Sequence, residues 1–78
     1  MKNKFLILKK RLNYSVTLGV FEDLPTALIH FESILTFEKR LAVFRTVEVD
    51  AYQTSFFKPT DNGGEEFAFV ILIAEMES

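Results

Sequence analysis

Phe67-Ala68-Phe69-Val70-Ile71-Leu72-Ile73-Ala74 is an unbroken run of eight apolar residues, framed by Glu65-Glu66 and by Glu75. It is too short to cross a bilayer and has the length of a buried β-strand. In an extended chain Phe67, Phe69, Ile71 and Ile73 point one way, and Ala68, Val70, Leu72 and Ala74 the other. A strand apolar on both sides wants cover on both sides. The rest of the chain supplies the pattern of one helix, which can cover only one. The mismatch calls for a partner surface, either a second copy or another protein.

Outward from this strand, Asp61-Asn62-Gly63-Gly64, preceded by Lys58-Pro59-Thr60, is a turn. Leu41 to Tyr52 alternates, with Val43, Val47, Val49 and Ala51 on one side and Thr46, Glu48 and Asp50 on the other. Tyr52 to Phe57 either continues that strand or leaves it as a loop. At the other end of the chain, Phe5 to Lys10 is a short apolar strand and Leu12-Asn13 turns it. Tyr14 to Phe21 follows as a half-buried strand, with Tyr14, Val16, Leu18 and Val20 on one face.

Between the two halves lies the helix. Asp23 caps its start, Pro25 sits in the first turn where its missing N–H costs nothing, and Lys39-Arg40 suit its C-terminal carbonyls. Leu24, Ala27, Leu28, Phe31, Ile34 and Leu35 form one stripe. Ile29 and Phe37 fall outside it, and two large apolar residues off the stripe hint at a contact.

The expected fold is α+β: one domain over residues 1–78, with a four-stranded, mainly antiparallel sheet in the order β-β-α-β-β and one helix packed on one face. The two most apolar strands, first and fourth, belong in the centre, giving strand order 2-1-4-3, with 2-1-3-4 the alternative. The second face should carry Leu6, Leu8 and one row of the 67–74 strand. The sequence leaves open which row, because a slip of one residue exchanges the two.

The 78 residues contain no cysteine, so disulfides and thiolate metal sites are excluded. A domain of this size buries only roughly 60% of its unfolded surface, and stability must come from tight packing or from oligomerisation. Nine phenylalanines suit a small core. The net charge of −2 argues against general affinity for nucleic acid and against a strongly acidic nucleic-acid mimic. Lys2, Lys4, Lys9, Lys10 and Arg11 are five of the nine basic residues, while Glu65, Glu66, Glu75 and Glu77 sit near the other end; pairing of the first and last strands would offset them. Met1-Lys2-Asn3-Lys4 before four apolar residues imitates a signal peptide. Lys9-Lys10-Arg11 interrupts the apolar stretch and no cleavage site follows, so a cytoplasmic location and no membrane partner are expected.

No catalytic, metal or cofactor motif stands out. His30 and Ser33 share one side of the helix but have no orienting acid or oxyanion hole in prospect. Glu48 and Asp50 could act as paired carboxylates or bind a hard cation, but charges on an edge strand more often block unwanted pairing. Gly63-Gly64 precedes a strand rather than the helix a phosphate site needs. Lys9, Lys10 and Arg11 with Tyr14 are the candidate nucleic-acid contact. Phe56 and Phe57 point opposite ways if extended, so one enters the core easily and the other is free to anchor an interface, unless a bulge buries both.

The expected function is that of a non-enzymatic protein-interaction module. Phe56, Phe57, Ile29, Phe37, Leu6 and Leu8 are the candidate interface residues, and a homodimer is the favoured arrangement. In general style the chain is similar to phage and mobile-element accessory proteins, including inhibitors of host defence systems such as CRISPR nucleases; this is a resemblance of type, and it carries no residue roles. The alternatives are a nucleic-acid-binding or regulatory protein using Lys9-Lys10-Arg11, and a small-ligand domain or enzyme whose pocket forms between two copies.

Overall fold

The computed structural model describes residues 3–41 and 44–77; Lys2, Val43 and Ser78 lie outside the described residues. Two strands, β1 (Asn3–Lys10) and β2 (Ser15–Phe21), precede the helix α1 (Leu24–Leu41). Three follow it: β3 (Arg45–Asp50), β4 (Gln53–Pro59) and β5 (Glu65–Glu77). They form one antiparallel sheet in the order β2-β1-β5-β4-β3. The α+β class, the single helix and the order of the elements agree with the sequence reading, but the sheet has five strands rather than four. The 67–74 strand is central and beside β1, as its apolar character requires.

The extra strand arises because Leu41–Tyr52 is not one element. Leu41 ends the helix, β3 begins at Arg45, and the chain reverses at Ala51-Tyr52 so that Gln53–Pro59 returns between β3 and β5. No glycine marks this hairpin, and neither Ala51 nor Tyr52 takes a positive φ. The turn is held instead by the Asp50 carboxylate, whose Oδ1 accepts from the Tyr52 N–H at 2.7 Å. A turn without positive φ splays the two strands. Val49, unpaired between Glu48↔Thr54 and Asp50↔Gln53, is a bulge, a device that increases the local twist of a strand.

The β4–β5 turn follows its sequence signal. Gly63 has φ +84°, the Thr60 N–H donates to the Gly64 carbonyl at 2.9 Å, and the Gly63 N–H donates to the Thr60 carbonyl at 3.2 Å. Between β1 and β2 the Arg11 N–H donates to the Tyr14 carbonyl at 2.8 Å and closes the turn around Leu12-Asn13.

The helix starts where its cap allows. The Thr26 N–H donates to Asp23 Oδ1 at 2.8 Å, and this bond holds the Asp23 carboxyl below its ordinary pKa. The charged cap therefore stabilises the fold above the carboxylate range and is lost as pH falls through the lowered value. Ala27, Phe31 and Leu35 are buried and Leu24, Leu28 and Ile34 half-buried, so the predicted stripe is the packed one. It meets Ile7, Phe56, Phe69 and Ile71. Phe44, just after the helix, plugs the end of this core with its ring edge against Phe69 (5.3 Å) and Phe56 (6.0 Å), which stack on each other at 4.6 Å. Thr54 is buried beside them, and no buried side-chain N or O among the described residues lacks a hydrogen-bond partner.

Two more bulges correct the simple alternation. Leu18 is the extra residue between Ile7↔Gly19 and Leu8↔Thr17, so Val16 lies on the helix side opposite Lys9 while Val20 lies on the other side opposite Leu6. The single face read for Tyr14, Val16, Leu18 and Val20 is thereby split. Ala68 is the extra residue between Phe56↔Phe69 and Phe57↔Phe67, which moves Phe67 out of the row of Phe69, Ile71 and Ile73 and sets it beside Phe57. Gly19 leaves room for the Phe21 ring, which folds back over it and stacks on His30 at 4.7 Å; a Cβ there would meet that ring at 2.7 Å.

Phe56 and Phe57 thus part company. Phe56→Ala should cost about 3–5 kcal/mol, the usual loss for a buried aromatic, and leave little folded protein. Phe57→Ala should cost about 1 kcal/mol, since its side chain is only half-buried. Urea unfolding followed by far-UV circular dichroism checks both values.

Candidate interaction surface

The helix lies against β1, β5 and β2 on one side of the sheet only. The register shows what is on the other. Leu6 stands opposite Ala74 and Val20, Leu8 opposite Leu72 and Thr17, and Lys10 opposite Val70 and Ser15. Val47, Ser55 and Val70 line up across β3, β4 and β5, and Phe57 stands beside Phe67. The open side therefore carries Leu6, Leu8 and the Val70-Leu72-Ala74 row. The result is a diagonal apolar stripe from Val20 through Leu6, Leu8, Leu72 and Val70 to Phe67 and Phe57.

Leu6, Leu8, Phe57, Phe67, Val70, Leu72 and Ala74 are half-buried, whereas Val20 and Val47 are exposed. No element of the described chain lies over them.

Charges border the stripe and are matched locally. Arg45 Nε lies 2.7 Å from Glu65 Oε2, with its guanidinium over the Phe57 ring at 5.0 Å. Lys4 Nζ lies 3.7 Å from Glu22, and Lys58 Nζ 3.1 Å from Glu66. Asn3 donates to Glu75, tying the ends of β1 and β5. The opposite charges of the two chain ends are thus partly matched, and such exposed pairs contribute little stability each.

The other candidate residues are dispersed. Phe56 is 0% exposed, so it belongs to the core and offers nothing to a partner, whereas Phe57 lies on the stripe. Ile29 and Phe37 are 70% and 60% exposed on the outer side of the helix, away from the sheet. The basic cluster is split. Lys9 turns toward the helix, where its Nζ lies 3.0 Å from Glu38 Oε1 and 4.2 Å from the Phe69 ring centroid. The Arg11 guanidinium is also over Phe69, at 5.3 Å. Lys10 is on the open side, and Tyr14 is exposed at the turn. These residues do not form one continuous basic surface.

Glu48 and Asp50 line an open groove of about 430 Å³ between the helix and the β3–β4 hairpin, with Glu32 on the helix and Leu28, Phe31 and Leu35 below. They do not converge: among the described residues no three His, Cys, Asp or Glu side chains are placed to hold a metal ion. His30 spends its ring face on Phe21. No helix of the described chain is long and apolar enough to cross a membrane.

The sequence reading missed Phe67 and Val20 as members of the stripe, and Val47 as its exposed neighbour on β3. Each depends on a bulge or on the β3–β4 hairpin. Comparison with known protein families, with curated proteins and with solved structures finds no match.

The Lys9–Glu38 pair is the one mostly buried ion pair among those described, and it ties the helix to β1. Glu38→Gln should cost about 1–2 kcal/mol by leaving the ammonium short of its charged acceptor. Chemical denaturation of the variant, with Lys4→Gln as an exposed-pair control expected to change stability by less than about 0.5 kcal/mol, checks the contrast.

Proposed function

We propose that this chain is a non-enzymatic protein-interaction module that acts by contact, occluding or stabilising a surface of another protein through its open sheet face. What supports this reading is the diagonal apolar stripe Val20-Leu6-Leu8-Leu72-Val70-Phe67-Phe57, which the helix leaves uncovered. Monomeric proteins rarely leave a contiguous apolar patch without a use. A half-buried aromatic pair at one end, Phe57 with Phe67, suits the anchor role that aromatic residues take in interfaces. The matched charges along the border suit a rim that fixes orientation rather than one that drives binding. Inhibition of a host protein by a phage or mobile-element accessory protein is one form this mechanism takes. The absence of cysteine fits a reducing compartment, and we take the cytoplasm as the site of action.

The test is capture of a specific protein by the tagged chain and its dependence on the stripe. Leu72→Lys and Phe57→Ala, each shown to fold by circular dichroism, should weaken binding tenfold or more. Ile29→Lys, on the outer helix surface, should leave it unchanged. Retention of binding by both stripe variants, or its loss with Ile29→Lys alone, would contradict the assignment.

A further inference from the structure

The two edges of the sheet are built differently. β3 carries Arg45, Glu48 and Asp50 and ends in a bulge at Val49, the devices by which natural edge strands repel a foreign strand. β2, Ser-Val-Thr-Leu-Gly-Val-Phe over Ser15–Phe21, contains no ionisable residue and no proline. Its one guard is the bulge at Leu18. Exposed large apolar side chains concentrate on the same arm: Leu12, Tyr14, Val16, Leu18 and Val20, with Leu12 86% and Val20 53% exposed. The apolar stripe of the open face ends at the Arg45–Glu65 pair on the β3 side, and on the other side it reaches Val20 of the edge strand itself, flanked by the Lys4–Glu22 pair.

We infer that β2 is a strand-pairing edge for β2 of a second copy, giving a two-fold dimer with one continuous ten-stranded antiparallel sheet. A two-fold axis perpendicular to the sheet pairs the edges antiparallel and keeps both helices on one side. The two open faces then lie side by side. A second copy fits this edge for two reasons. An uncharged strand opposite an uncharged strand sets no like charges against each other. Val16, Leu18 and Val20, exposed on this strand, are met by the same apolar residues of the other copy in an isologous contact. The edge is separate from the central residues of the open face, so the inference stands or falls independently of the function proposed above.

The experiment is solution mass by light scattering over a concentration series, joined to residue-resolved amide hydrogen exchange. The expected result is twice the chain mass at high concentration, with β2 amides gaining protection as the dimer forms. Leu18→Lys, which places on this edge the residue that guards others, should return the mass to one chain with the circular dichroism unchanged; Thr17→Lys serves if Leu18→Lys fails to fold. Leu72→Lys should leave the dimer intact. A single chain mass at every concentration would overturn the inference. So would a dimer that survives the folded β2 variant, or one abolished by Leu72→Lys, which would mean face-to-face packing. If Leu72→Lys loses a captured protein while the dimer persists, the edge and the face act separately.

Discussion

Everything in this structure follows from a central strand that is apolar on both sides and a helix that can cover only one of them. A helix is about 10 Å wide and neighbouring strands lie about 4.8 Å apart, so one helix spans about two strands. The sheet has five. On the covered side the helix lies against β1, β5 and β2, and the remaining space over β4 is filled by the aromatic cluster of Phe44, Phe56 and Phe69. On the other side nothing in the described chain does the same for Leu6, Leu8, Val70 and Leu72.

The helix is held by more than its apolar stripe. Lys9 departs from the packing rule by turning a charged side chain toward the helix side, and the departure is compensated at close range by Glu38 and by the face of Phe69. Using Lys9 in this way, with Arg11 over the same ring, withdraws two cations from what the sequence presents as a basic patch. Lys9 thereby supports the packing of the helix, while Lys10 stays exposed on the open side.

Much of this was legible in the residues. The Phe67–Ala74 run marked the central strand, the 3–4 spacing from Leu24 to Leu35 marked the packed helix face, and Asp23 and Gly63 marked a cap and a turn by mechanism rather than by frequency. The β3–β4 hairpin was not legible, because its turn uses Ala51-Tyr52 and draws its hydrogen bond from the preceding Asp50 instead of from a glycine or an Asn-Gly pair. The face assignments of Val16, Val20 and Phe67 were hidden for a related reason. Each lies beyond a bulge, and one extra residue reverses the parity that alternation assumes. For the candidate surface, Leu6 and Leu8 could be found from alternation alone, whereas Phe56 and Phe57 could not be told apart until the position of the helix decided which of two adjacent rings lay inside.

The central claim is that adjacent residues of β5 differ in cover: Ile71 is fully buried on the helix side, whereas Leu72 is half-buried on the open face. The chain has no cysteine, so single cysteines placed at these two positions report on each side without interference. The most direct measurement is the rate of thiol labelling of folded Leu72→Cys and Ile71→Cys proteins under native conditions. The account predicts ready labelling at position 72 and protection at position 71 until the protein unfolds. Equal protection at both positions would mean that the second face is covered after all, and would contradict it.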